Sequence, residues 1–223
     1  DLDMSIAPAL LPDGQVVLAG KSRIVYLLNG ADLGGIGHQQ ATLGTNGHTV
    51  GTACSDDIDG GVAVVGMTVY LPCLAGIIAV QATSSPAALH LLWSSGTGGG
   101  PPIAAAGLIW TMGQNGTLYG LNPATGRIRQ QVTIGAPANH FPTPSVGDGL
   151  LLAASAEHVV AFAAPAPGAR PAPATASPGL GSSGQAQTAP AHAPRYLAAI
   201  VFVAAALLIA IGWLVARRLR RAR

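Results

Sequence analysis

The strongest constraint on the fold is a short apolar stretch that returns along the first two thirds of the chain. It reads VYLL (Val25 to Leu28), IIAV (Ile77 to Val80), LYGL (Leu118 to Leu121) and VVAF (Val159 to Phe162). Upstream of each lies a second short strand: QVVLAG, MTVYLP, LIWTMG and LLLAAS. Upstream again lie APALLP, GGVAVV, PPIAAA and TPSVGDG. Tyr26, Ile78, Tyr119 and Val160 are therefore equivalent positions. The last two steps between them are about 41 residues each, and the first is about ten longer. The third unit, GTLYGLNPATGRIRQQ, shows the pattern most plainly. Leu118 to Leu121 alternate as a strand with one buried face, Pro123 and Gly126 supply the turn torsions, and the next strand starts at Arg127.

A period near 40 residues with several short strands per unit is the signature of a β-propeller, in which each blade packs its faces on its neighbours. Composition agrees. Only 9% of residues are charged, while glycine (30) and proline (17) are abundant, which argues against a helical bundle. The expected fold is all-β, with about four blades of four strands each over residues 1–165.

The rest of the chain divides into three zones. Residues 166–195 are rich in Pro, Ala, Gly and Ser and hold almost no large apolar side chain, so they cannot offset the entropy of ordering and predict a disordered spacer. Residues 196–216, YLAAIVFVAAALLIAIGWLVA, are an uncharged apolar run of the length that crosses a bilayer as a helix. Tyr196 and Trp213 stand near its ends, where amphipathic rings favour the interface. Residues 217–223, RRLRRAR, form a basic tail. By the positive-inside rule the tail is cytoplasmic and everything before Tyr196 is outside. A signal peptide is excluded, since the basic residues follow the apolar run. Five of the 11 basic residues lie in that tail, which leaves 6 basic against 9 acidic side chains in the body. Nucleic-acid binding wants a basic stripe on the folded part, and none is evident.

GTLYGLNPATGRI resembles the repeat of pyrroloquinoline-quinone-type (quinoprotein-like) β-propellers, in which a glycine-led strand runs into a Thr-Gly turn. The resemblance covers roughly Asp1 to Pro165, and the N-terminal stretch is similar to units of secreted or membrane-tethered bacterial members. Such rings usually close with about seven or eight blades, so the resemblance implies an incomplete ring with further blades preceding Asp1. It also implies a tryptophan a few residues after the Thr-Gly turn that docks one blade on the next. Trp93 can serve in the second unit, whereas Gln130 takes that place in the third. Quinone-using members carry adjacent cysteines and a Glu/Asn/Asp set around Ca²⁺. Here no cysteines are adjacent and Glu157 is the only glutamate, so no residue is assigned to catalysis, cofactor or metal.

Cys54 and Cys73 are the only cysteines. Outside the cytoplasm an even pair reads as a disulfide; the rivals are two buried thiols and a redox pair, which would want C-x-x-C. Closing a loop of about 20 residues contributes roughly 3 kcal/mol on a chain-entropy account. Asp56, Asp57 and Asp59 cluster in SDDIDGG, but the register of a calcium loop and its distal glutamate are absent, which favours a solvated turn. His38, His48 and His140 stand alone in glycine-rich loops without metal-ligand spacing.

Two functions remain. The first is a non-catalytic propeller outside the cytoplasm, tethered to the lipid bilayer by its C-terminal helix, that binds a protein or small ligand through its loops. The alternative is a membrane-bound quinoprotein dehydrogenase, using pyrroloquinoline quinone and Ca²⁺, whose active-site residues lie in preceding blades. A sensor role fits less well, because about seven residues follow the span. The stretch Gly34 to Ala53 carries the extra length and is the first expected recognition loop.

Overall fold

The structure, a computed structural model, describes residues 3–44, 54, 57–136 and 141–163. These belong to one compact unit, Asp1–Ala169. The predicted spacer, span and basic tail lie outside the described residues, as do His48, Asp56 and His140. Among the described residues no helix is long and apolar enough to cross a membrane.

Four antiparallel sheets account for the described strands. The first holds β1 (Ala9–Leu10), β2 (Gln15–Ala19), β3 (Val25–Asn29) and β4 (Ala41–Leu43). The second holds β5 (Ala63–Val65), β6 (Thr68–Cys73), β7 (Gly76–Ser84) and β8 (Ala87–Ser95). The third holds β9 (Ile103–Ala105), β10 (Leu108–Met112), β11 (Thr117–Leu121) and β12 (Ile128–Thr133). The fourth holds β13 (Ser145–Gly147), β14 (Leu150–Ser155) and β15 (His158–Ala163). Within every sheet the strands lie in sequence order, as consecutive hairpins require. First strands neighbour first strands and fourth strands neighbour fourth, as between β5 and β9 and between β4 and β8. This is the radial order of propeller blades.

The register confirms the equivalences read from the sequence. Tyr26 pairs with Leu18, Ile78 with Leu71, Tyr119 with Thr111 and Val160 with Ala153. In each case the partner is the fourth residue of the blade's second strand. The hairpin turns follow their residues. Ala106–Gly107 and Asp148–Gly149 carry positive φ at both positions, the geometry whose twist matches two-residue hairpins.

Three expectations need correction. Leu118 to Leu121 do not bury one face only, because Leu118, Gly120 and Leu121 are all buried. A blade between two others is covered on both sides, so alternation of polarity fades. The strand after the Asn-Pro-Ala-Thr-Gly turn begins at Ile128 rather than Arg127, since Asn122 Oδ1 accepts from the amides of Ala124 and Thr125 and holds the turn closed longer. The fourth blade shows three strands, not four, among the described residues; the chain after Ala163 lies outside them.

The core is a series of face-to-face contacts. Val17, Val25 and Leu27 of the first blade meet Val69, Leu71, Ile78 and Val80 of the second. The opposite face of the second blade, with Tyr70, Ile77 and Ala79, meets Ile109 and Leu121 of the third. The third presents Trp110, Met112 and Leu118 to Ala153, Leu151 and Phe162 of the fourth. Each wholly buried aliphatic side chain contributes about 1.5–3 kcal/mol relative to exposure. The two end blades are less covered: Leu10 and Val159 are each 70% exposed.

Candidate functional site

Antiparallel order places two sets of loops at one end of the strands: the connections between blades (residues 44–62, 96–102 and 134–144) and the turn between the second and third strand of each blade. The segments that lead into the first strands meet there. Ile6 pairs with Gly60 in parallel, with the amide of Gly60 donating to Ser5 O (2.9 Å) and that of Ala7 to Gly60 O (3.2 Å). Ser5 Oγ donates to Ile58 O at 2.7 Å. Gly60 has φ +99°, and a Cβ there would stand 2.6 Å from Pro101 Cγ. Only glycine lets the lead-ins of neighbouring blades approach this closely.

The connection 44–62 is the longest of the three, and it carries the extra residues of the repeat. Cys54 and Cys73 form a disulfide with Cα atoms 5.0 Å apart, as expected for this pair, and Ile58 bridges Cys73 directly beside it. The disulfide therefore ties the long connection to the end of β6. Gly34 to Ala53 is not a single loop, which corrects the expectation for that stretch. β4 interrupts it, sending residues 30–40 to the opposite end and leaving Gly44 at the lead-in end; residues 45–53 lie outside the described residues. The first part is exposed, with Ile36 fully so.

At the lead-in end Ser5, Lys21, Asp57, Asp59, Leu74 and Phe141 line a cleft of about 540 Å³. It draws on the first two blades and on the segment leading into the fourth. Lys21 Nζ lies 3.6 Å from Asp3 Oδ2, and Asp57 and Asp59 line the same cleft. Of the residues singled out from sequence, the structure brings together Asp57, Asp59 and the disulfide. His38 stands exposed on the opposite loop. Among the described residues no group of three His, Cys, Asp or Glu side chains could hold a metal ion.

The blade-docking tryptophan is Trp93. Its Nε1 donates to Pro123 O at 2.8 Å, Tyr70 Oη donates to the same carbonyl at 3.2 Å, and the two rings lie 5.8 Å apart. Gly126, at φ +68°, lies against the Trp93 ring, where a Cβ would come within 2.5 Å. The Asn-Pro-Ala-Thr-Gly turn of the third blade thus rests on two aromatics of the second. Burial raises the Tyr70 phenol above its usual value of 10.0. Tyr70 was not singled out from sequence; its cross-strand position beside Ala79 and Trp93 was the available signal.

No protein-family profile matches the chain, and no curated protein matches it. Solved structures do. BamB from Moraxella catarrhalis is 17% identical, with 71% of this chain and 49% of that chain covered and a TM-score of 0.54. The computationally designed Ika8 protein is 10% identical, with 72% and 45% covered and a TM-score of 0.50. At these identities the likeness is one of fold, and the described part of the chain is a β-propeller-like arc. The chain spans about half the length of these two structures.

Proposed function

We propose that this chain is part of a non-catalytic β-propeller binding module, held at a membrane by its C-terminal helix and recognising a protein partner at the lead-in end. The observation that carries the reading is the convergence there of the longest blade connection, the disulfide that ties it down and the cleft flanked by Asp57 and Asp59. A propeller scaffold holds such loops rigidly, which limits the ordering cost of binding. Deleting residues 45–53, while keeping β4 and Cys54, tests this. The deleted chain should keep its melting behaviour and lose the partners that the intact chain cross-links in its native membrane; an unchanged partner set overturns the assignment.

Membrane tethering rests on the uncharged run 196–216 and the five arginines after it. Truncation after Pro194 should move the protein from the membrane fraction to the soluble one. The dehydrogenase reading keeps one observation in its favour, that the chain spans only about half of the structures it resembles. Quinone and Ca²⁺ added to a protein carrying any preceding blades decide it: dye-linked alcohol oxidation would replace the binding module with an enzyme.

A further inference from the structure

The ladder registers align the second and third blades residue by residue. The cross-strand row Ala63, Tyr70, Ala79, Trp93 corresponds to Ile103, Trp110, Gly120, Gln130. The pairs Ala79–Trp93 and Gly120–Gln130 both sit immediately before the irregularity in their ladders. In the second blade the large ring stands on the fourth strand and closes the space against the third blade. In the third blade only the second strand of this row bears a ring, Trp110 in the place of Tyr70. Trp110 lies across Gly120, where an added Cβ would come within 3.0 Å of the ring, and its Nε1 is used by Ala105 O at 3.1 Å.

The place over β12 is left to Gln130, and a cavity of about 540 Å³ opens between the third and fourth blades. Its walls are the Trp110 ring, Leu108, Leu151 and Phe162, with Gln130 at the rim and the Ala106–Gly107 turn nearby. These turns are at the opposite end of the strands from the acidic cleft. Among the described residues no charged side chain lines the cavity.

We propose that this cavity is a binding site for a small, neutral, flat aromatic molecule of the indole class. The fold itself supplies the precedent, since the equivalent position one blade earlier is filled by an indole ring that packs on the neighbouring blade. The volume falls in the range of ligand cavities. Aromatic and aliphatic walls reward ring burial, and one carboxamide can both donate to and accept from a ring substituent. A charged ligand finds no counter-ion there and loses its hydration.

Indole and indole-3-carboxylate, titrated into the full chain and followed by calorimetry, test the proposal. Indole should bind with Kd below about 1 mM, and the carboxylate at least tenfold more weakly. Gln130→Trp should fill the cavity, weaken indole at least tenfold and raise the melting temperature. If that variant does not fold, Ala105→Leu narrows the same space and should weaken indole in the same direction. Absence of indole binding, equal binding of the carboxylate, or unchanged indole affinity in the folded variant overturns the assignment. Binding of a tryptophan-bearing peptide without binding of free indole does so too, because the site would then belong to a protein side chain.

Discussion

The interfaces on either side of the third blade are built at one register from different residues. Toward the second blade, Trp93 and Tyr70 both donate to Pro123 O and Trp93 presses on Gly126, with Ile77, Ala79, Ile109 and Leu121 buried in the same interface. Toward the fourth, the equivalent of Trp93 is Gln130, which is exposed, and a cavity stands where the ring would be. The burial of whole strands also differs, since the second blade is covered on both faces and the fourth, among the described residues, on one. Val69 to Cys73 and Gly76 to Val80 are buried without interruption, whereas only Ala153 and Ser155 are buried in β14 and no residue is in β15. At these two interfaces the aromatic side chain on the fourth strand separates the closed contact from the open one. The hydrophobic faces alone bring them together.

The comparison can be broken at its strongest point. Trp93→Ala should cost about 3 kcal/mol, because it removes a half-buried ring and the N–H that satisfies Pro123 O. Urea denaturation followed by circular dichroism measures it, and a loss below about 1 kcal/mol would show that the ring does not lock the blades. The first and second blades are joined in a third manner, by an aliphatic face and the disulfide. Cys54→Ser with Cys73→Ser opens a loop of sequence separation 19 and should cost somewhat less, roughly 2–3 kcal/mol. Reductant should reproduce that loss in the natural chain and leave the double variant unchanged.

Tyr70 gives the locked interface a pH dependence. Its phenol is 3% exposed and its pKa lies above 10.0 because burial disfavours the phenolate. The folded state therefore holds this proton more tightly than the unfolded chain. The stabilisation is fully present below pH about 10 and is lost as pH rises through the folded value. Tyr70→Phe should cost about 1 kcal/mol at neutral pH, for the lost hydrogen bond to Pro123 O, and should flatten the alkaline decline. An unaltered alkaline decline would move the titration to other groups.

Much of this architecture could be read from the chain. Tyr26, Ile78, Tyr119 and Val160 occupy one register because short strands and turn residues are local signals. The pairing of Cys54 with Cys73 was expected from their even number and an expected extracytoplasmic setting, and Trp93 from the resemblance to quinoprotein-like repeats. The acidic cleft was not legible, since Ser5, Lys21, Asp57, Leu74 and Phe141 meet only when lead-in segments of different blades converge. β4 was hidden within Gly34 to Ala53 because three residues of Ala-Thr-Leu carry little strand signal of their own. Gln130 could be named as a departure, but that a cavity follows from it depends on Trp110 lying over Gly120, a long-range fact.

The smallest expected effect lies at the rim of the open interface, in the turn between β9 and β10. Ala106 has φ +49° and is followed by Gly107 at φ +74°. An alanine in the left-handed region places its Cβ against the following carbonyl, at a cost of about 1 kcal/mol, which asparagine reduces by local hydrogen bonding. Asn-Gly is also the preferred pair for this hairpin geometry. Ala106→Asn should therefore raise stability by a few tenths to about 1 kcal/mol, read as a small increase in melting temperature. Because Ala106 borders the cavity without forming its ring-bearing walls, the gain should leave indole affinity within about twofold, as expected where a backbone preference is independent of the packing around Trp110. A larger change in affinity would mean that the turn sets the width of the cleft, and that the backbone beside Gln130 shapes the open interface as much as the missing ring does.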